Sequence, residues 1–504
     1  MKTLSKTLNS TDYEGLNEEG HTIFSDHIAL ILNLKITKDK LLEYDSRICS
    51  YTKQIGEKRG GIKWKYFQYV SLLFTEIYLD RYFSDKEAFC AELNEWVQSQ
   101  RDQSLGAMWL SDYTPQQLNK LAYMCATGSG KTLTMHINIL QFLYYLKRAQ
   151  RSGGKMKINK ILLVTPNEGM SRQHLEELEL SNIKAHIFEK ETFQSVSGDV
   201  QIIDINKFDE VSKVKTVAVD TFERNNLLLV DEAHRGLTSG DVWIRYRRQL
   251  AEDGFTFEYS ATFKQSLNAN ATAAGDRELM EEYGKSIIMD YSYKYFYNDG
   301  YGKDYRIYNL QATVEDDSRV TYLTGCLLSF YQQIRYFEEY GKALQPFNIE
   351  KPLLVFVGNK VTATTSASEL SDVQEVLQFI DNFVRHKAKT IKRIDDVINE
   401  RTGLVTDKGT DVFQSGLDAL WDIYGGNKPT PEVIYQDVLR YVFNSDSTSD
   451  EPRLRVEAIK QVQGEIAMRI GDGEYFGVIN IGDTAKLIKQ CDDNGIVARD
   501  EEFS

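Results

Sequence analysis

The sequence predicts an α/β fold in which a parallel β-sheet is covered by helices on both faces. Short, continuously apolar runs recur between residues 121 and 262, at LAYMC, KILLVT, VQIIDI, LLLV and TFEYSAT. Helix-like segments separate these runs, and strands that are apolar on both faces belong to a sheet that is covered on both sides. The composition, with 42% hydrophobic and 27% charged residues and 7 prolines, is that of a globular chain.

Charge and cysteine usage exclude several functional classes. The formal net charge is −14, so any contact with nucleic acid must come from local basic patches. The 5 cysteines are scattered without a C-x-x-C pair, which argues against a disulfide framework or a zinc ribbon. The apolar run IALILNL at 28–34 is too short to span a bilayer, and no signal peptide is evident. We therefore expect a cytoplasmic protein without membrane contact.

The chain is expected to contain three regions. Residues 1–109 are predicted to be mostly helical, because apolar residues at 65–83 and 86–99 follow helical spacing. Residues 110–275 are predicted to form the α/β domain. Residues 276–504 are predicted to form a second α/β unit, with its clearest strand at PLLVFV (352–357), a helical insertion at about 369–445 and a strand, turn and helix at 472–490.

The segment CATGSGKT (125–132) is the strongest functional signal. An apolar strand runs into it and a long helix runs out of it. Glycines at 128 and 130 allow a tight turn whose amide groups point at phosphates, and the helix N-terminus adds a positive dipole end. In such a loop the lysine contacts the β- and γ-phosphates and the following threonine contacts Mg²⁺. The residues predicted to bind the nucleotide are Thr127, Gly128, Ser129, Gly130, Lys131 and Thr132.

A second signal is LLLVDEAH (227–234). Asp231 follows a buried strand at its carboxyl end, where open α/β sheets bind ligands. There Asp231 can hold Mg²⁺, and Glu232 can orient and deprotonate an attacking water. We therefore predict Glu232, Asp231 and Lys131 as catalytic residues, and Thr132 and Asp231 as the residues that hold the metal.

Together, CATGSGKT, DEAH and the later SAT (260–262) resemble motifs I, II and III of superfamily 2 helicases and translocases, in the same order. The resemblance is closer to the restriction (helicase) subunit of type III restriction–modification enzymes. ILLVTPNEGMSRQHLEEL (161–178), AVDTFERNNLLLVDEAHRG (218–236), AEDGFTFEYSATF (251–263) and YFYNDGYGKDYRI (295–307) all look like segments of that family. The resemblance covers about residues 60–360 and implies a pair of RecA-like domains that hydrolyse ATP while gripping DNA.

The resemblance also assigns roles outside the phosphate loop. The residues it implies for contact with the DNA backbone are Thr165, Pro166 and Asn167. The residues it implies for coupling the ATP site to the nucleic-acid site are His234, Ser260 and Thr262. The sequence departs from the family pattern at Cys125, where the first glycine of the phosphate loop is usual.

Two family features are missing from the sequence. The late Gln-x-x-Gly-Arg-x-x-Arg segment has only the near miss QVQGEIAMR (461–469), in which Glu465 replaces the first arginine. No Pro-Asp dipeptide occurs, so the family's Pro-Asp…Glu-x-Lys nuclease constellation is absent. We therefore expect the RecA-like P-loop domain to be followed by an incomplete second RecA-like domain, and hydrolysis to be slow unless another polypeptide completes the site.

These observations predict the ATP-binding motor portion of a DNA helicase or translocase resembling type III restriction subunits. Its expected cofactors are Mg²⁺ and ATP, and its expected partners are double-stranded DNA and a DNA modification (methyltransferase) subunit. An RNA helicase of the same superfamily is one alternative, since motifs I to III do not separate the two. A hydrolysis-silent, ATP-gated DNA-binding subunit is the other.

Overall fold

The computed structural model of the protein contains two compact units, Met1–Asp304 and Tyr305–Ser504. The residues that the structure describes are 2–32, 36–103, 110–188, 198–207, 222–235, 242–263, 274–308, 316–345, 349–356, 372–446, 452–459, 464–480, 484–493 and 495–503.

The first unit begins with helices, as predicted. They are α1 (Lys2–Leu8), α2 (Ile23–Ile31), α3 (Lys38–Gly56), α4 (Tyr66–Ser84) and α5 (Lys86–Gln103). The helix α4 is buried on nearly all sides, because aromatic and aliphatic side chains recur around its whole circumference. It packs against the long helix that begins at Lys131.

A sheet of seven strands forms the centre of the first unit. Its strands are β1 (Lys120–Cys125), β2 (Ile161–Thr165), β3 (Ala185–Ile187), β4 (Val200–Asp204), β5 (Leu227–Val230), β6 (Phe255–Ser260) and β7 (Ile287–Tyr291). Their order is β3-β4-β2-β5-β6-β1-β7, and every neighbouring pair is parallel. The predicted parallel sheet is therefore confirmed, with β3 and β7 as additional strands.

Successive residues of β1 show how the sheet is covered on both faces. Leu121 and Tyr123 pack into the apolar cluster that contains the residues of α4, whereas Ala122 and Met124 pack into a cluster on the opposite face with Tyr246. Side chains alternate across a strand, so a run that is apolar at every position buries both faces. This arrangement leaves the carboxyl ends of the strands for polar loops.

Five helices accompany these strands. They are α6 (Lys131–Arg151), α7 (Glu168–Leu180), α8 (Val242–Leu250), α9 (Ala274–Ser286) and α10 (Tyr293–Asn298). The first of them is the long helix that was predicted to follow CATGSGKT. The first unit extends past the boundary predicted at residue 275, because β7 is hydrogen-bonded to β1.

The second unit also contains a sheet and helices. Its helices are α11 (Asp316–Leu344), α12 (Asp372–Arg385), α13 (Lys387–Ile398), α14 (Asp418–Ile423), α15 (Pro431–Tyr441) and α16 (Thr484–Asp493). Its strands are β8 (Leu454–Ile459), β9 (Glu465–Ile470), β10 (Tyr475–Asn480) and β11 (Val497–Phe503). The strand order is β10-β9-β8-β11, in which β8, β9 and β10 are antiparallel and β11 runs parallel to β8.

The second unit confirms some predicted elements and corrects one. The described part of 369–445 is mostly helical, and the predicted strand, turn and helix at 472–490 correspond to β10 and α16. The predicted strand PLLVFV is not formed over 352–356, where Leu353 is 83% exposed. An apolar run forms a strand only where neighbouring backbone groups complete its hydrogen bonds. Amino-acid composition does not show whether such groups are present. Within the described residues, no helix is long and apolar enough to cross a membrane.

Candidate nucleotide-binding site

Residues 126–130 form a compact loop between the end of β1 and the start of α6. Gly128 and Gly130 have φ angles of +82° and +85°, a region that L-residues with side chains rarely adopt. The Ala126 N–H donates to the Tyr291 carbonyl at 2.9 Å, and the Ser129 N–H donates to the Ala126 carbonyl at 3.1 Å. Because α6 begins at Lys131, its first N–H groups face the same loop. The predicted phosphate loop thus has the expected strand–turn–helix setting.

Cys125 occupies the position where the family pattern has glycine. It is the last residue of β1 and pairs with Tyr291 of β7, so it precedes the turn and needs no positive φ. Burial raises the pKa of its thiol to about 12, which keeps the thiol neutral. The tight turn therefore depends on the two later glycines.

Gln68 of α4 fixes the far side of this loop. Its Nε2 donates to the Ser129 carbonyl at 2.8 Å, and its Oε1 accepts from the Lys65 N–H at 2.9 Å. A Cβ at Gly130 would lie 2.3 Å from Gln68 Nε2, so a larger residue would have to displace this side chain and would also adopt a strained φ of +85°. The C=O and N–H of a trans peptide point in opposite directions, and this contact therefore directs the Gly130 N–H away from α4. No motif spacing in the sequence pointed to Gln68.

Lys131 and Glu232, which are far apart in sequence, form an ion pair of 3.0 Å between Nζ and Oε1. Glu232 directly follows Asp231 at the end of β5 and has a φ of +50°, which is uncommon for a residue with a side chain. Such strained positions cluster at active sites. A hydrogen bond from His234 lowers the pKa of Glu232 to about 2, so this carboxylate is ionised at neutral pH.

Both carboxylate oxygens of Asp231 accept hydrogen bonds. Oδ1 accepts from the Glu232 N–H at 2.9 Å, and Oδ2 lies 2.9 Å from His174 Nε2. The Asp231 N–H itself donates to the Val164 carbonyl of β2 at 3.1 Å. Sequence reasoning missed His174, because a single histidine on an amphipathic helix carries no recognisable signal.

The predicted coupling residues His234 and Ser260 are in direct contact. His234 Nδ1 lies 2.8 Å from Ser260 Oγ and 3.3 Å from Glu232 Oε2. Ser260 Oγ also accepts from the Thr262 N–H at 3.0 Å. A continuous set of polar contacts therefore joins Lys131 through Glu232 and His234 to the end of β6.

Arg247 of α8 holds the turn that contains these residues. Its guanidinium donates to the carbonyls of Ala233 and Arg235, both at 2.7 Å, and the side chain is buried. A buried cation bound to two carbonyl oxygens fixes the backbone of the turn. The sequence did not single out Arg247, because a basic residue in a short helix is usually exposed.

The three residues predicted to contact DNA lie at the end of β2. Thr165 and Pro166 are buried, and Thr165 Oγ1 lies 2.6 Å from Ser171 Oγ. Asn167 is exposed and caps α7, because its Oδ1 accepts from the Met170 N–H at 2.9 Å. Of the three side chains, only Asn167 faces solvent.

The donor set suits a magnesium nucleotide. The hydroxyl of Thr132 and the carboxylate of Asp231 are hard oxygen ligands, and Mg²⁺ typically takes one or two such ligands together with water and phosphate oxygens. Within the described parts of the chain, no group of three or more His, Cys, Asp or Glu residues could hold a metal by itself. The two glycines with positive φ and the start of α6 at Lys131 allow backbone N–H groups of the loop to face a phosphate.

Comparison with known protein families supports this description of the first unit. Residues 90–265 match the family described as "Type III restriction enzyme, res subunit". The resemblance predicted from CATGSGKT, DEAH and SAT is therefore confirmed over this part of the chain. The chain contains a domain similar to the helicase-like ATPase motor of those subunits.

Solved structures of helicase-type proteins show local similarity. The UvsW helicase from bacteriophage T4 is 14% identical, with 39% of this chain and 67% of UvsW covered and a TM-score of 0.24. The Hef helicase domain from Pyrococcus furiosus is 14% identical, with 69% of this chain and 73% of the Hef chain covered and a TM-score of 0.27. The SWI2/SNF2 ATPase core from Sulfolobus solfataricus is 11% identical, with 64% of this chain and 65% of the ATPase core covered and a TM-score of 0.25. No curated protein has a significant match to the chain.

Proposed function

We propose that this chain is the Mg-ATP-binding motor portion of a DNA helicase or translocase of the type III restriction kind. The observation that carries the proposal is the contact between Lys131 and Glu232, which brings the phosphate loop and the DEAH segment together across β6. Motif residues that are distant in sequence meet at the carboxyl edge of a parallel sheet, where α/β proteins bind ligands.

Each residue at this edge has a distinct task in the proposed reaction. Lys131 and the amides of the loop bind the triphosphate, while Thr132 and Asp231 hold the metal. Bound Mg²⁺ neutralises charge on the phosphate oxygens. Glu232 orients the attacking water and accepts its proton. The ion pair between Lys131 and Glu232 has to separate when Lys131 turns to the phosphates, which frees the carboxylate for water.

The contacts of His234 support a coupling role. His234 touches both Glu232 and Ser260, so a change at the γ-phosphate alters the hydrogen bonds of the segment 260–262. We propose that this segment passes the state of the nucleotide to bound DNA. Asn167, exposed at the end of β2, is the residue of its segment best placed to contact a phosphate.

Slow hydrolysis by the chain alone is part of the proposal. The sequence lacks the Gln-x-x-Gly-Arg-x-x-Arg segment, and an arginine that contacts the γ-phosphate contributes about 10³–10⁵ in rate. A second polypeptide that completes the motor would supply the missing cation, and a DNA modification (methyltransferase) subunit is a separate proposed partner. The same observation supports a second candidate, an ATP-gated DNA-binding subunit that does not hydrolyse.

Nucleotide binding and turnover test these proposals together. The purified chain should bind Mg-ATP, and duplex DNA should stimulate its slow turnover more than RNA of the same sequence. Binding without any turnover, alone or with the partner subunit, would favour the hydrolysis-silent candidate. Stimulation by RNA alone would replace the DNA motor with an RNA helicase.

A further inference from the structure

His174 is a buried histidine in contact with the candidate metal-binding aspartate. It lies in the second turn of α7, and its Nε2 is 2.9 Å from Asp231 Oδ2. The two residues are 4% and 9% exposed, so water does not compete well for this contact. His174 belongs to none of the sequence motifs that define the nucleotide site.

The chemistry of the pair fixes the direction of the hydrogen bond. An ionised carboxylate can only accept, so the proton must lie on His174 Nε2. The other oxygen, Oδ1, accepts from the Glu232 N–H at 2.9 Å. With one hydrogen bond on each oxygen, the carboxylate of Asp231 cannot rotate freely about its terminal bond.

We propose that His174 is a positioning residue that holds the Asp231 carboxylate in the orientation in which it binds the magnesium of Mg-ATP. This inference rests on the proposed nucleotide function. Groups that hydrogen-bond to a metal ligand orient that ligand, and their loss typically weakens metal affinity about 10- to 100-fold. Metal-free nucleotide, which depends on Lys131 and the loop amides, should bind without His174.

His136 of α6 provides a matched control. It is also a buried histidine with one hydrogen bond to a side-chain oxygen, in this case 2.8 Å from its Nδ1 to Ser181 Oγ. Its partner is not a residue of the nucleotide site. Ser181 caps the C-terminus of α7 and His136 lies near His174, so replacing His136 perturbs the same pair of helices while the hydrogen bond between His174 and Asp231 stays in place.

The test is the affinity of the full chain for the non-hydrolysable analogue AMP-PNP, measured over a range of Mg²⁺ concentrations and again in EDTA. For His174→Leu we expect the Mg²⁺ concentration at half-maximal binding to rise about 10- to 100-fold, with the affinity in EDTA unchanged. His174→Gln should restore most of the Mg²⁺ dependence, because the glutamine Nε2 can donate to Asp231. His136→Leu should keep the Mg²⁺ dependence of the wild-type chain.

Equal Mg²⁺ dependence in His174→Leu and the wild-type chain would overturn the inference while leaving the proposed function standing. A wild-type chain that binds no nucleotide at any Mg²⁺ concentration would overturn both. If His174→Leu does not fold, His174→Asn replaces it, since its amide is too short to reach Asp231. The inference then requires His174→Asn to lose Mg²⁺ dependence and His174→Gln to keep it.

Discussion

The two units of the chain use their sheets differently. The first unit has seven parallel strands, most of them buried on both faces, and the polar side chains of its candidate site lie where β1, β5 and β6 end. The second unit has four strands, three of them antiparallel, and the edge strand β10 is half-exposed. Parallel strands deliver all their carboxyl ends to one edge, whereas antiparallel strands divide them between two.

This difference explains why the candidate chemistry lies in the first unit. Lys131, Glu232, His234 and Ser260 lie at or beyond the carboxyl ends of three different strands, yet they form one set of contacts. In the second unit the acidic residue Glu457 of β8 accepts hydrogen bonds from Arg469 on the neighbouring strand β9 and from Tyr475 on β10, and these contacts across strands stabilise the sheet. The predictions below test whether this edge of the first unit is functional.

The largest expected effect is on turnover in Glu232→Gln. The substitution keeps the shape of the side chain but removes the carboxylate that would accept a proton from water. The slow ATP turnover of the chain should fall by about 10²–10⁴. Nucleotide affinity should stay the same or increase, because Lys131 loses its ion-pair partner. Glu457→Gln in the second unit is the matched control, and an equal loss of turnover there would contradict the assignment.

Two glycine substitutions, one in each unit, should change the stability of the protein in opposite directions. Gly130→Ala would place a Cβ 2.3 Å from Gln68 Nε2 at a φ of +85°, and we expect it to destabilise the protein by about 1–3 kcal/mol and to impair nucleotide binding. Gly341→Ala, on α11 with no atom within 4 Å of the new Cβ, should stabilise by about 0.5–1 kcal/mol. Thermal unfolding of both variants measures whether their stability changes have opposite signs. A Gly130→Ala chain as stable and as active in binding as wild type would show that the loop has another conformation.

Substitutions of two glutamines test whether the contact from α4 to the loop contributes to nucleotide binding or only to packing of the first unit. Gln68→Leu removes the donor from α4 to the Ser129 carbonyl of the loop. Gln141→Leu removes a donor from α6 to the Leu72 carbonyl of α4, 2.9 Å away. A hydrogen bond contributes about 0.5–1.5 kcal/mol, so Gln68→Leu should weaken AMP-PNP binding about 2- to 10-fold. Calorimetric titration of both variants gives the comparison. Equal affinities would mean that Gln68 serves packing alone.

The last prediction concerns the pH dependence of stability. Burial lowers the pKa of His136 from 6.5 to about 3, so below pH 6.5 the unfolded chain binds a proton that the folded chain does not. Stability should therefore fall as pH drops from 6.5 towards 3, with His136 contributing about 1.4 kcal/mol per pH unit. In His136→Gln this part of the slope should disappear. Denaturant unfolding of the wild-type chain and of His136→Gln at pH 7 and pH 5.5 measures the difference.

Much of the first unit could be predicted from local sequence. Continuous apolar runs identified five of its seven strands, and the Gly-Ser-Gly turn between a strand and a helix identified the loop. The strand β3 was missed because it has three residues, and β7 because it is only partly buried. In the second unit, the run at 352–356 has strand composition without a strand, since composition does not supply a pairing partner.

The residues around the candidate site were harder to predict than those within it. Lys131, Asp231 and Glu232 belong to short motifs whose spacing carries chemistry. Gln68, His174 and Arg247 act through contacts with backbone or with Asp231, and these contacts depend on how distant helices pack. Only the folded chain brings such residues next to the motifs, so no local pattern marks them.

The most direct test of the central claim is a titration of the full chain with Mg-AMP-PNP beside Lys131→Ala. The proposed site predicts saturable binding by the wild-type chain. Loss of a partly buried cation that contacts phosphate typically costs 2–5 kcal/mol, so Lys131→Ala should bind about 30-fold more weakly or worse. Equal affinity of the two proteins, or no binding by either, would contradict the claim that residues 126–132 and the DEAH segment form a nucleotide site.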